Sequence, residues 1–232
     1  MEDNFIGFSS KSTNFLKNLT MNNNRDWFNE NKYDYNTFIL EPMNKLVLDL
    51  SNFMLEIDDD LETLPAKSIS RIYRDVRFSK NKTPYKNTMW ITFKRSGKNW
   101  HGFPGFFFEI TQTGFLLGMG FYSMTKNTRN NFRNYLLKNQ ESFIKIKSNF
   151  LDNKDNIFNI EGESYKRIPK DIEDILDEKL VSWYKRKKFY IITPIIENND
   201  ILFSSEKLIK YIEYNFSQIS EFYKFLWDIY EE

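Results

Sequence analysis

The chain has 232 residues, 41% of them hydrophobic and 18% aromatic, and a formal charge of +1 at neutral pH. That apolar content can build a substantial core and excludes the low-hydrophobicity profile of a disordered chain. With no cysteine and a single histidine, His101, disulfides, iron–sulfur clusters, thiol nucleophiles and histidine-rich metal sites are excluded, and no metal or cofactor is expected. The opening MEDNFIGFSS lacks the apolar segment of a signal peptide, and no apolar run approaches the roughly 20 residues of a bilayer span. Both observations lead to the expectation of a cytoplasmic protein without a membrane partner.

The chain opens on a short helix that Ser12 or Thr13 can cap, with Phe15, Leu16 and Leu19 as its apolar side. Asn22, Asn23 and Asn24 mark a turn, and Asp26 can cap the next helix. Phe28, Tyr35, Phe38, Ile39, Met43, Leu46, Leu50, Phe53 and Ile57 recur at helical spacing, with Pro42 dividing or kinking the run. Asp58, Asp59 and Asp60 read as an exposed helix end and loop. Residues Ile69 to Phe78 fit either a strand or a turn of helix. In the strand reading Arg71, Tyr73, Asp75 and Arg77 face one way and Ile72, Arg74 and Val76 the other.

Strands are predicted at Met89–Phe93, Phe106–Ile110 and Phe115–Gly120, the last two as a hairpin about a Thr113–Gly114 turn. Gly118 and Gly120 leave room for a close neighbour or a ligand, or form a bulge. Helical spacing returns from Thr125 to Lys138 and from Glu141 to Lys147. A strand at Ile157–Ile160 precedes a Glu161–Gly162–Glu163 turn. Pro169 starts a helix with Ile172, Ile175, Leu176 and Leu180 inward, and Phe189–Ile196 is a strand limited by Pro194. After a turn at Asn198–Asp200, Ser204 or Ser205 caps a closing helix carrying Leu208, Ile212, Phe216, Ile219, Phe222, Leu226 and Ile229. With no linker and no internal repeat, this is one α+β domain over 1–232, a mixed or antiparallel sheet flanked by long N- and C-terminal helices.

The most distinctive stretch is SRIYRDVRFSKNKTPYK, Ser70 to Lys86. From Lys67 to Lys98 basic residues are frequent and Asp75 is the only acid. A local excess of this kind in a near-neutral chain is informative, because fields decay over about one Debye length, roughly 8 Å at physiological salt.

These residues, with the earlier Asn23, Asn24, Arg25, Trp27, Phe28, Asn31 and Tyr33, make the chain resemble the uncharacterised family called domain of unknown function 2461. The glycine-containing hairpin, the helix bearing Arg129, and Pro169–Lys170 followed by Leu176 and Lys179 extend the resemblance over most of the length. Asp171 stands where that family commonly has glycine. The resemblance implies no reaction.

Arginine grips carboxylate or phosphate in bidentate fashion and lysine supplies a mobile charge. Arg71, Arg74, Arg77, Lys82 and Lys86 are therefore expected to surround a small anionic or phosphate-bearing ligand, with Tyr85 offering a hydroxyl or ring and Arg129 entering from a later helix. Asp75 is expected to orient an arginine. Asp75, Tyr85 and His101 are the candidates for proton transfer, although no nucleophile–base pattern or phosphate-binding loop motif accompanies them. Two other readings stay open. The basic and aromatic residues could contact nucleic acid, or the cluster could be a salt-bridge network in a structural or protein-interaction module.

Overall fold

The computed structural model describes residues 4–97, 100–151, 156–197 and 202–231. The first helices are α1 (Ser10–Met21), α2 (Arg25–Glu30) and α3 (Lys32–Tyr35); a π-helical segment, Asn36–Leu40, then leads into α4 (Glu41–Ile57) and the short α5 (Pro65–Ser68). Next come β1 (Met89–Phe93), β2 (Pro104–Ile110), β3 (Gly114–Phe121), α6 (Lys126–Lys138), α7 (Gln140–Leu151) and β4 (Asn159–Ser164). The chain closes with α8 (Lys170–Glu173), α9 (Glu178–Tyr184), β5 (Arg186–Ile192), β6 (Ile196–Glu197) and α10 (Lys207–Glu231). The fold is α+β. The sheet order is β1-β2-β3-β5-β4, and β6 also pairs with β3. Near its start β3 runs antiparallel to β6, Phe115 opposite Ile196, and further along antiparallel to β5, Met119 opposite Ile191.

The chain forms two compact units. The first comprises Met1–Arg95, Phe107–Leu117 and Ile195–Tyr214, the second Ser96–Phe106, Gly118–Pro194 and Asn215–Glu232. Stacked and edge-on phenylalanines fill the first: Phe8 lies 5.3 Å from Phe5, 5.9 Å from Phe108 and 5.5 Å from Phe203, ring centre to ring centre. In the second, Phe222 of α10 is the hub, within 5.0 Å of Phe150, 5.7 Å of Trp183 and 5.8 Å of Phe143. Such ring pairs add about 0.5–1.5 kcal/mol each beyond the area they bury.

The long apolar periods place α4 and α10 where the sequence puts them, and the predicted inward residues of α10 are all buried. Several local details differ. Ser9, not Ser12 or Thr13, is the N-cap of α1, and Asn24, not Asp26, caps α2 by accepting from the Trp27 N–H at 3.0 Å. Asp58 is buried, contrary to an exposed acidic turn, because the Arg95 guanidinium pairs with it at 2.8 Å and reaches Asp60 at 3.6 Å. Glu161, Gly162 and Glu163 lie within β4 and not in a turn, since they pair with β5. Ile175 is 62% exposed, as the helix predicted from Pro169 breaks into α8 and α9 around it. Gly118 is needed for a close neighbour: a Cβ there would run into the carbonyl oxygen of Ile191 on β5. The turn expected at Asn198–Asp200 lies outside the described residues.

Pro42 explains the irregular entry into α4. Proline has no N–H for the carbonyl four residues back, that of Phe38. The Ser12 hydroxyl donates to that carbonyl instead, at 2.7 Å, and its oxygen accepts the Ser9 N–H at 3.2 Å. A fully buried hydroxyl thus joins α1 to the π-helical segment. Ser12→Ala is expected to cost about 1–3 kcal/mol in urea unfolding, the usual penalty for stranding buried polar partners. The loss should shrink in a Pro42→Ala background, where a restored N–H can serve Phe38. Equal losses in both backgrounds would contradict this account.

Candidate functional site

The basic stretch forms neither the strand nor the helical turn expected of Ile69–Phe78. It is a loop pinned at isolated points, Ile69 opposite Ile91 and Tyr73 opposite Tyr85. Its root is tied to β1, where the Ser70 N–H donates to the Trp90 carbonyl at 2.8 Å and the Trp90 N–H returns to the Ser70 hydroxyl at 3.2 Å. Further out, the Arg74 N–H donates to the Pro84 carbonyl and the Lys86 N–H to the Ile72 carbonyl. The alternation seen in the sequence survives without a ladder: Ile72 is buried and Arg74 and Val76 half-buried, whereas Arg71, Tyr73, Asp75 and Arg77 are exposed.

Asn23, in the turn between α1 and α2, holds the far side of this loop. Its carboxamide oxygen accepts the Tyr85 N–H at 3.0 Å and its amide group donates to the Tyr85 carbonyl at 3.1 Å. One side chain therefore satisfies both backbone groups of a buried residue, as a neighbouring strand would. The Tyr85 ring lies 4.2 Å from Phe28 in a stacked arrangement, 5.4 Å from Tyr73, and is 2% exposed. Phe28 also meets Tyr35 at 5.4 Å. Burial, with Tyr73 adding to it, pushes the Tyr35 hydroxyl up to about 12. The same two causes raise Tyr85, and Arg25 opposes them.

The cations divide into two groups. Arg77 is bound to Asp75 by a forked pair, Nη2 at 2.6 Å and Nε at 3.0 Å, and hydrogen bonds from Arg77 lower the Asp75 carboxyl to about 2. Asp75 is thus an anion tied to a guanidinium at neutral pH, the orienting role expected of it. Lys82 donates to the Val76 carbonyl at 2.8 Å. Both cations are exposed and occupied within the loop itself.

Arg71, Arg74 and Lys86 form the second group. The Lys86 ammonium donates to the Arg71 carbonyl and lies 4.2 Å above the Trp90 ring. Its pKa is lowered by burial first, then by the charges of Arg71 and Arg74. Arg74 sends its Nε–H to the Tyr85 carbonyl at 3.3 Å. Beside it opens a cleft of about 320 Å³ lined by Arg25, Asn29, Tyr73, Arg74, Val76, Pro84 and Tyr85. Among the described residues no carboxylate forms an ion pair with Arg25, Arg71, Arg74 or Lys86. Arg25 and Asn29 do not stand out in the sequence as cleft residues. The N-terminal Asn-Asn-Arg motif is the available signal, because it binds the loop through Asn23 and puts Arg25 at the start of α2.

Arg129 and His101 belong to the second unit. The Arg129 guanidinium stands 5.7 Å from the centre of the Tyr165 ring, and His101, in a single 3₁₀ turn, lies 5.2 Å from Tyr122. The Asp58, Asp59 and Asp60 carboxylates come within 4.8 Å of one another, with Arg95 on Asp58 and Asp60. Among the described residues, no helix is long and apolar enough to cross a membrane.

The family described as Conserved hypothetical protein (DUF2461) matches residues 11–225. No curated protein matches the chain.

The clamp and the ring cluster each make a testable demand. Asn23→Ala is expected to destabilise the fold by about 1–3 kcal/mol, two hydrogen bonds' worth, and to speed amide exchange at Tyr85. Asn23→Asp, which keeps the acceptor and loses the donor, should fall between. For Tyr35, the folded pKa lies above the unfolded value of 10.0, so its contribution to stability is full below pH 10 and fades as pH rises through about 12. Absorbance titration at alkaline pH should show a late-titrating phenol near pH 12 whose absorbance Tyr35→Phe removes. An unchanged titration in that variant would refute the assignment.

Proposed function

The chain belongs to the DUF2461 family, a description that specifies no reaction, and from the geometry we propose that it binds a small anionic ligand at the cleft beside Tyr85. Arg25 and Arg74 line that cleft, Arg71 and Arg74 act electrostatically on Lys86, and none of the four has a carboxylate partner among the described residues; this observation carries the reading. Burial first, then the like charges of Arg71 and Arg74, lower the pKa of Lys86; an anion would oppose the second of these effects. Guanidinium forks match phosphate and carboxylate oxygens. Asn29 and the Tyr73 hydroxyl could supply the neutral hydrogen bonds that discriminate one anion from another. The cleft is assigned a binding role and no reaction, since Asp75 is committed to Arg77.

A nucleic-acid strand is the second reading. The specific observation in its favour is Phe78, 96% exposed on the same loop as the cations, with Tyr73 58% exposed nearby; exposed rings between basic residues are the elements on which unpaired bases stack.

Calorimetric titration with inorganic phosphate should give saturable binding that Arg25→Gln weakens by about 10-fold, the effect of losing one charged hydrogen-bond donor. Arg25 is exposed, so the thermal midpoint should hardly move. Phosphate binding unchanged by Arg25→Gln would overturn the cleft as its site. A single-stranded oligonucleotide whose binding falls in Phe78→Ala and weakens steeply with salt would favour the second reading.

A further inference from the structure

The second unit holds a separate group of cations that the cleft does not use. Arg129 and Arg133 stand one turn apart on α6, and Lys187 is near the start of β5. All three face one ring, that of Tyr165 just beyond β4: the Arg129 and Arg133 guanidiniums lie 5.7 Å and 5.1 Å from its centre and the Lys187 ammonium 5.1 Å. Arg133 is also 4.8 Å from the Tyr184 ring. One aromatic face attracts cations, but it does not remove the mutual repulsion of three of them gathered on it.

Protein atoms satisfy this group only in part. Arg133 Nε donates to the Tyr184 carbonyl at 2.9 Å, and Arg129 Nη1 reaches the Lys187 carbonyl at 3.5 Å, the outer limit of a hydrogen bond. Arg129 Nε is buried and has no acceptor. Burial disfavours the charged form of Arg133 and Arg129 adds to that, with Tyr184 and Tyr165 acting the other way. Lys187 acts electrostatically on Glu163, but Glu163 is engaged by Lys188 at 3.0 Å. Among the described residues no carboxylate pairs with Arg129, Arg133 or Lys187.

A stranded N–H, three gathered cations and a half-exposed phenol lack the same thing, a compact group with several acceptor oxygens and more than one negative charge. We infer that Arg129, Arg133, Lys187 and Tyr165 form a binding site for a phosphate monoester group. One oxygen takes the Arg129 Nε–H, the others take guanidinium and ammonium protons from Arg133 and Lys187, and the Tyr165 ring fixes the three cations from beneath. A single negative charge such as chloride neutralises too little and offers no directed oxygens. This inference does not depend on the cleft at Tyr85.

The full chain, labelled with ¹⁵N-arginine, tests it directly. The Arg129 Nε–H resonance is assigned by its loss in Arg129→Lys, and the protein is titrated with inorganic phosphate, phenyl phosphate and sodium chloride at matched ionic strength. A saturable downfield shift of the Arg129 signal with inorganic phosphate supports the site and shows that the phosphate group alone suffices. Saturation with phenyl phosphate only also supports it and assigns the site to organic esters. No saturation with either phosphate, or the same shift with chloride, overturns it. Arg133→Gln and Lys187→Gln should each weaken the titration by about 10-fold; undiminished affinity in a folded variant of either kind overturns the site as drawn. The Arg74 Nε–H signal in the same spectra reports the Tyr85 cleft, so failure of one site is read separately from failure of the other.

Discussion

The basic loop depends on one carboxamide. Asn23 pairs with both backbone groups of Tyr85, and through Tyr85 it fixes three further contacts: the ring stacked on Phe28, the carbonyl that receives Arg74, and the point where Tyr73 and Tyr85 meet. Half-buried Arg74 and Lys86, with exposed Arg71 beside them, repel one another. The loop is held by neutral hydrogen bonds and ring contacts and not by ion pairs, which leaves the charges of Arg25, Arg71, Arg74 and Lys86 available. The one strong ion pair in the loop, Arg77 with Asp75, is at its exposed margin, where such pairs contribute about 0–1 kcal/mol.

Features that repeat at short range were legible in the sequence. The three-to-four spacing of apolar residues gave α4 and α10, and the short apolar run gave β1 with the observed ends. The clustering of Arg71, Arg74 and Lys86 was also visible, because they are near one another in the chain. Contacts across long separations were not visible. Nothing local says that Asn23 will reach Tyr85, that Arg95 will draw Asp58 inside, or that Ser12 will serve a carbonyl freed by Pro42. Arg25 and Asn29 resemble ordinary surface residues of a short helix until the loop is folded against them. Ile175 misled for the opposite reason: its spacing fits a helix that the chain interrupts.

The two groups of cations are built by different means. At the loop, backbone geometry is imposed by a side chain, and the charges hang from an irregular segment. In the second unit, Arg129 and Arg133 project from a regular helix capped by Thr125, and the partner ring and lysine come from neighbouring strands and their ends. Side chains on regular elements are positioned more rigidly than those on loops. Under the two proposals, the helix-borne group would select an anion by shape and the loop-borne group would adjust around one.

The division into units has a consequence for how this gene can change. β2, β3 and α10 each pass from one unit into the other along the chain, so any single cut leaves at least one fragment containing parts of both. A contiguous segment from α6 through β5 carries the whole Tyr165 group in complete elements, but moving it takes β5 away from β3, with which it pairs at Gly118–Gly120. Point substitution and length change in the loops alter that group while keeping β5 paired to β3.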